Sequence, residues 1–453
     1  MAVSPEQGKF VTGNLMRHVV VMSLSGAFGL SFTFLVDFLA LWWISQLRVE
    51  TMIAAVGLAG TIQFAVISIS IGMMIGAVAL VSRTIGQGDR PRARRIATMA
   101  LGLTFVVQAA VSILIYIFRI PILEISGAQG EVLVLAERFL AVTLPSMPLI
   151  AVAICASAIL RAIGDAWRSM AVTMVAGVVA VVLDPLLIVW AGWGVAGAAW
   201  SIVAARLAMF ALGLWFVIRT HDMLARPARE DLGTFIGPYL GIALPAIVTQ
   251  ISTPFGNWIL TREVAQFGDS ALAGWGVVMR LTILAFGGIF ALSGAIGGII
   301  GQNYGANRPD RVAGAYWAAL KFCLAYTLVT WVLMALLTGP IVQSFGLSTE
   351  GEAIVRVFTY YATGAFIFTG ALFVANAAFN NLGRPLWSTG ANWLRDGILM
   401  LPLGLVLTQA VGATGVIWAN ALANVIAGVV AGWLAWRYIR SLNRSEVVTA
   451  AAE

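Results

Sequence analysis

Residues 56–101 are written twice in this chain. An apolar run rich in small residues breaks into Ile85-Gly86-Gln87-Gly88-Asp89-Arg90-Pro91-Arg92, then turns apolar again. From Trp275 the pattern returns around Tyr304-Gly305-Ala306-Asn307-Arg308-Pro309-Asp310-Arg311. Gly57 falls on Gly276, Gly86 on Gly305, Arg92 on Arg311 and Gly164 on Gly383, an offset of 219; at 218, Gly194 falls on Gly412, Gly197 on Gly415 and Trp200 on Trp418. An offset held to within one residue over about 150 residues marks a duplicated chain.

The solvent follows from composition. Sixty per cent of the residues are apolar, 10% are charged, and the mean hydropathy is +0.93. Soluble domains carry about 25% charge, so most of this chain faces lipid. Stretches long enough to cross a hydrocarbon core of about 30 Å recur twelve times, near 17–47, 53–82, 94–119, 133–160, 167–191, 194–219, 236–263, 271–302, 312–338, 353–381, 387–410 and 414–439. The expected fold is an all-α integral membrane protein with six-helix lobes at 17–219 and 236–439. A cytoplasmic loop, 220–235, joins them, and cytoplasmic segments 1–16 and 440–453 flank them. Residues 1–16 lack the apolar core of a signal peptide, so no removal is expected. Six spans per half is an even number, so the halves enter the membrane with the same polarity and their repeat axis stands along the membrane normal.

Arginines set the expected orientation. Arg83, Arg90, Arg92, Arg94, Arg95, Arg161, Arg308, Arg311, Arg384 and Arg437 stand on one side; Arg48, Arg119 and Arg262 are nearly all of the other. The positive-inside rule puts both termini in the cytoplasm. Basic loops at an anionic inner leaflet account for the isoelectric point near 9.8 without a nucleic-acid partner. Cys155 and Cys323 lie mid-span in different halves and read as small buried hydrophobes, with no disulfide or metal framework. His18 and His221 fall at span edges, and no acid has ligand-spaced partners, so neither a catalytic nor a metal constellation is expected.

Two acids stand out inside the bilayer. Asp37 in the first span has no basic residue within two turns, and Thr33 one turn below could donate to it. Asp184 in the fifth span precedes Pro185, which removes a helix hydrogen bond and weakens the helix there. Both lie roughly 25–30 Å above the cytoplasmic end by the 1.5 Å helical rise. Lone intramembrane acids mark ion pathways; the bland alternative is a buried acid satisfied by a neighbour, Arg206 among them. The second half differs: Asp37 falls on Gly256 and Asp184 on Leu403. Its intramembrane charges are Arg280, Lys321, Arg395 and Asp396, with Glu263 near an outer end. Arg395 and Asp396 point about 100° apart on a helix and need not pair; cavity contact and inter-helix structure both remain open for them. Trp258 and Trp275 are open in the same way. Pro145, Pro148, Pro245, Pro254 and Pro402 are expected kinks.

These features together resemble the multidrug and toxic compound extrusion (MATE) family. The residues carrying the resemblance are Val36-Asp37, Ile85-Gly86-Gln87-Gly88-Asp89, Leu160-Arg161-Ala162-Ile163-Gly164-Asp165, Leu183-Asp184-Pro185, Gly194-Val195-Ala196-Gly197-Ala198-Ala199 and Leu382-Gly383-Arg384-Pro385, over residues 12–440. The resemblance implies two lobes in a V around a central cleft, in a monomer of the plasma membrane. It also implies export of amphipathic, often cationic, small molecules against inward protons or sodium. No cofactor beyond the coupling cation is implied. Asp37 and Asp184 match the ion-coupling acids, with Thr33, Pro185 and Ser201 in support; Arg206, Trp258, Arg280, Arg395 and Asp396 are candidates for the cavity.

Two departures bear on the ion. Many relatives carry Asn where this chain has Ala180, and Thr where it has Ile202. Sodium wants about five or six oxygens, by analogy with other hard cations, whereas a proton needs one desolvated carboxylate. The missing oxygens favour protons. The alternatives are sodium coupling and a flippase of the same superfamily for lipid-linked precursors, which would use Arg206, Arg280, Lys321 and Arg395 on a pyrophosphate head.

Overall fold

The computed structural model describes residues 8–46 and 50–450; side chains at 37, 38, 40–42, 44–46, 50 and 443–450 lie outside the description. No strand occurs among the described residues, as expected where lipid can satisfy no backbone group and helices must do so internally. In chain order the helices are α1 (Leu15–Gln46), α2 (Glu50–Gly86), α3 (Arg90–Ile117), α4 (Arg119–Ile125), α5 (Gly130–Thr143), α6 (Met147–Ala162), α7 (Ala166–Asp184) and α8 (Gly194–Trp215). They continue as α9 (Arg229–Ala265), α10 (Asp269–Ala285), α11 (Gly287–Gly305), α12 (Pro309–Phe345), α13 (Thr349–Tyr360), α14 (Phe366–Asn381), α15 (Pro385–Trp393), α16 (Met400–Val411) and α17 (Gly415–Ala450).

Ten helical stretches among the described residues are long and apolar enough to cross a membrane, or eleven if α10 and α11 are one bent span. Twelve are expected from the hydropathy of the sequence. With the bent pair counted as a span, the remaining difference lies in Pro385–Leu442, which counts once although 58 residues in a straight helix would reach about 87 Å. That stretch turns back instead: Gly412, at φ +68°, opens the 3-10 turn Gly412–Thr414, and α16 packs against α17. The expected spans 387–410 and 414–439 therefore share one helical stretch.

The chain divides into two compact units, one of Met1–Ala27, Ser82–Gly88 and Val248–Glu453, the other of Phe28–Val81 and Asp89–Ile247. The duplication is visible in both. Gly88 and Asn307, repeat mates, both adopt left-handed backbone, at φ +81° and +55°; Asn is the non-glycine residue that best tolerates it. Gly164 and Gly383 match at +92° and +85°. Inside the first unit, a Cβ on Gly86 would overlap the Gln302 carbonyl, and one on Gly305 would overlap the Arg83 carbonyl. Arg83 and Gln302 are themselves mates, so the two helix ends meet through a reciprocal contact that only glycine allows. Gly197 in α8 would likewise drive a Cβ to 2.5 Å from the Leu187 carbonyl, and its mate Gly415 would overlap Leu407.

The prolines stand in different settings along the helices. Pro145 lies in the 3-10 turn Leu144–Ser146 between α5 and α6, and Pro185 opens a π-helical turn, Pro185–Trp190. By contrast α9 runs unbroken through Pro245 and Pro254. The 48° bend between α10 and α11 has no proline. It is held by Tyr326, whose hydroxyl donates to the Ala285 carbonyl (3.0 Å) and accepts from the Gly288 N–H (3.2 Å). Phe286 at the bend stacks on Phe366, with centroids 3.7 Å apart.

Candidate functional site

In the second-listed unit, α1 and α7 run parallel and touch at two levels. Gly29 faces Met170 and Thr173; Gly177 faces Phe32 and Val36, the Val36 methyl lying 3.1 Å from where a Cβ would stand. Asp184 follows Gly177 by seven residues, about 10 Å along the helix, and is buried at 3% exposure. It ends α7 where the π-helical turn begins. The Ser201 hydroxyl of α8 lies within electrostatic reach of the Asp184 carboxyl but outside hydrogen-bonding geometry, and Ser201 Oγ is buried without a partner. No cation pairs with Asp184 among the described residues. Gly197 brings α8 close enough to this turn for that approach. Asp37 follows Val36 directly on α1; its side chain lies outside the described residues. Thr33 donates within its own helix, to the Gly29 carbonyl at 3.0 Å, so its proton is already used.

Arg206, also in this unit, pairs with no acid among the described residues. Its guanidinium donates to the Thr143 carbonyl (2.8 Å), to Ser146 Oγ (2.8 Å) and to Gln63 Oε1. Gln63 Nε2 in turn donates to Thr143 Oγ1 at 3.1 Å. Arg206 therefore ties α8 to α2 and to the break between α5 and α6. The need is general: a buried charge without hydrogen bonds is costly. Gln63 and Thr143 are polar residues the sequence reading passed over, and their only signal is that each is a strong donor-acceptor group in an apolar span.

Arg395 and Asp396, in the other unit, correct the expectation that they need not pair. They open the π-helical turn Leu394–Leu399, and Arg395 Nε and Nη2 reach Asp396 Oδ1 and Oδ2 at 2.7 Å each. Thr253 Oγ1 accepts from the same guanidinium at 3.0 Å, and Ser252 Oγ donates to Asp396 at 2.9 Å. The wide turn and the long arginine stem overcome the 100° divergence of the two Cα–Cβ directions. Both residues are buried within the unit.

The duplication gives this pair a further meaning. A Cβ on Gly256 would lie 2.8 Å from Asp396 Oδ1. Gly256 is the repeat mate of Asp37, and Asp396 that of Gly177 at the same offset. At these paired positions one half has its acid on α1 and its glycine on α7, while the other has its glycine on α9 and its acid in the turn Leu394–Leu399. Glu263, further along α9, is likewise set against a glycine. It is buried, its Cγ lies 3.5 Å from a Cβ position on Gly404, and it accepts from Gln266 at 3.1 Å. Gly404 adjoins Leu403, the mate of Asp184.

The remaining candidates are plainly placed. Trp258 is exposed beside Phe255, with Arg262 over its ring at 6.0 Å. Arg280 is exposed on α10 and has no partner among the described residues. Trp275 is buried and donates to Thr261 Oγ1 at 3.0 Å. No three His, Cys, Asp or Glu side chains converge among the described residues.

A duplicated bundle of apolar helices, broken by π turns and holding a lone buried acid at Asp184, has the architecture of a membrane transporter. The chain belongs to the MatE family: the family's sequence profile matches twice, over residues 27–186 and 245–406. It is 28% identical over 402 residues to a FAD transporter of Shewanella oneidensis, covering 87% of this chain and 89% of that one. It is 24% identical over 435 residues to the multidrug export protein MepA of Staphylococcus aureus, covering 93% and 94%. Among solved structures, the Vibrio cholerae MATE transporter VcmN superposes with a TM-score of 0.88 at 24% identity, covering 94% of this chain and 97% of that one. The family and the all-helical fold class expected from sequence are thus met.

Proposed function

We propose that the chain exports amphipathic organic molecules by antiport against protons, with Asp37 and Asp184 as the coupling acids. The observation that carries this reading is the setting of Asp184: a buried carboxylate with no cation beside it among the described residues, at the junction of an α-helix and a π turn. A proton needs no more. Sodium would need further oxygens; Ser201 stands near among the described residues, while Ala180 and Ile202 offer no side-chain oxygen. The contact register of α1 and α7 sets Asp184 about two turns past the Val36 level, which favours a relay along one seam over two carboxylates sharing one proton. Protonation removes a buried charge and lets α7 repack about Pro185. Proton and substrate must favour opposite states, because a ligand shifts such an equilibrium only by its differential affinity. The lobes 17–219 and 236–439 then alternate access, in a monomer of the plasma membrane with both termini cytoplasmic.

The flippase reading stands second. It relied on four cations, and Arg206 and Arg395 are each engaged inside one unit, leaving Arg280 and Lys321. Transport in everted vesicles tests the proposal, using a fluorescent organic cation and flavin adenine dinucleotide in parallel. One pH unit is worth about 1.4 kcal/mol per proton, or roughly tenfold accumulation, in sodium-free medium. Asp184→Asn and Asp37→Asn should each abolish gradient-driven efflux at normal protein levels, and the double variant should be little worse. Absolute dependence on sodium, or near-normal driven efflux in both single variants, would refute the assignment.

A further inference from the structure

The lipid-facing stripe of α12 contains a lysine. Trp317, Leu324, Leu328 and Val332 are exposed at helical spacing on one face, and Lys321 is exposed among them. It lies ten residues, about 15 Å, beyond Arg311. No acceptor reaches its ammonium among the described residues. A bare cation against hydrocarbon is costly, and nothing within the protein offsets that cost here.

The surface at Lys321 is a groove between α12 and α17, lined by Trp317, Leu324, Phe368, Gly428, Val429 and Trp433. Helix directions fix what stands at its ends. Gly364 faces Trp331 and Gly370 faces Cys323, while Gly428 faces Phe368 and Gly432 faces Ala371. So α14 runs against α12 and alongside α17, and α12 and α17 are antiparallel. Tyr316 Oη donates to the Gly432 carbonyl at 2.7 Å and sets their register. Lys321 lies five residues to one side of that level and Arg437 five to the other, their Cα atoms about 15 Å apart along the axes. Arg437 holds its guanidinium 5.4 Å over the Trp433 ring, and Arg440 lies 6.0 Å over Trp436. Two extended basic side chains close most of the gap between Lys321 and Arg437, and no acid lines the groove.

We propose that this groove binds one phospholipid with a net-negative head, from the leaflet at the N-terminal end of α12. The phosphate sits between Lys321 and Arg437, and an acyl chain lies along Leu324 and Val429. Tryptophans at this level suit the interfacial region, where amphipathic rings sit at headgroup depth. A lysine merely reaching toward water would leave the groove indifferent to lipid charge, which makes the two accounts separable.

The test is native mass spectrometry of the full-length protein with equimolar phosphatidylglycerol and phosphatidylcholine of matched chains. Wild type should retain phosphatidylglycerol preferentially. Lys321→Met should lower the retained ratio about fivefold, the contribution of one cation near an anionic headgroup, and Lys321→Arg should keep it. Lys321→Gln serves if the methionine variant does not fold. An unchanged ratio in the uncharged variant, an equal loss of both lipids, or a loss in Lys321→Arg as large as in Lys321→Met would overturn the proposal.

Discussion

Breaking the Arg395–Asp396 pair one side at a time should cost far more than removing both charges. The two side chains are 6% and 3% exposed, and two bonds of 2.7 Å join them, with Ser252, Thr253 and, at 3.5 Å, Asn424 as further partners. Arg395→Met leaves Asp396 a buried carboxylate with Ser252 as its remaining donor. An uncompensated buried charge of this kind costs about 3–5 kcal/mol, whereas replacing both members of a buried pair is often near neutral. Arg395→Met combined with Asp396→Asn should therefore be more stable than Arg395→Met alone, with a coupling energy of about 2–3 kcal/mol. Equilibrium unfolding of the purified protein in mixed micelles measures all three variants, and vesicle transport follows in those that fold. If the double variant folds like wild type and transports, the pair is structural. Additive losses under about 1 kcal/mol each would show that the charges do not depend on one another, and the reasoning from burial and geometry would fail. A stable double variant without transport would instead move the pair into the transport mechanism.

Two further predictions concern the ends of helices. Gly305→Ala and Gly86→Ala should each destabilise by about 1–3 kcal/mol, the usual cost of overpacking, because a Cβ at either meets a backbone carbonyl that cannot swing aside; tolerance of both in a thermal-melt comparison would contradict the reciprocal contact. Asp165, in the turn before α7, has its carboxyl pushed up by partial burial but held below the usual range by hydrogen bonds from the Arg168 N–H, the Arg168 guanidinium and His221. A depressed folded value means its stabilisation is present above the unfolded carboxylate value of about 3.9 and is lost as pH falls through the folded one. Asp165→Asn should thus cost about 1 kcal/mol near pH 7, and the difference from wild type should vanish in strong acid; a gap that persists there would contradict the linkage.

The sequence by itself determined the solvent, the repeat and the positions that need glycine. Hydropathy is a property of one segment against its medium, so spans are legible without knowing their neighbours. The 219-residue offset likewise marked Gly86 with Gly305 and Gly164 with Gly383, because a left-handed turn or a backbone contact admits few residues wherever it recurs. Pro185 announced its turn for the same local reason. Partners were another matter. That Arg206 reaches Gln63 and Thr143, that Arg395 folds back on Asp396, and that Tyr326 holds a bend without proline all depend on side chains from distant helices meeting. The exchange of acid and glycine between helices shows why: Asp396 and Gly256 differ from their mates residue by residue, yet together they place a carboxylate against a glycine at one contact between two helices. A contact is a property of two segments, and only the packed structure decides which two meet.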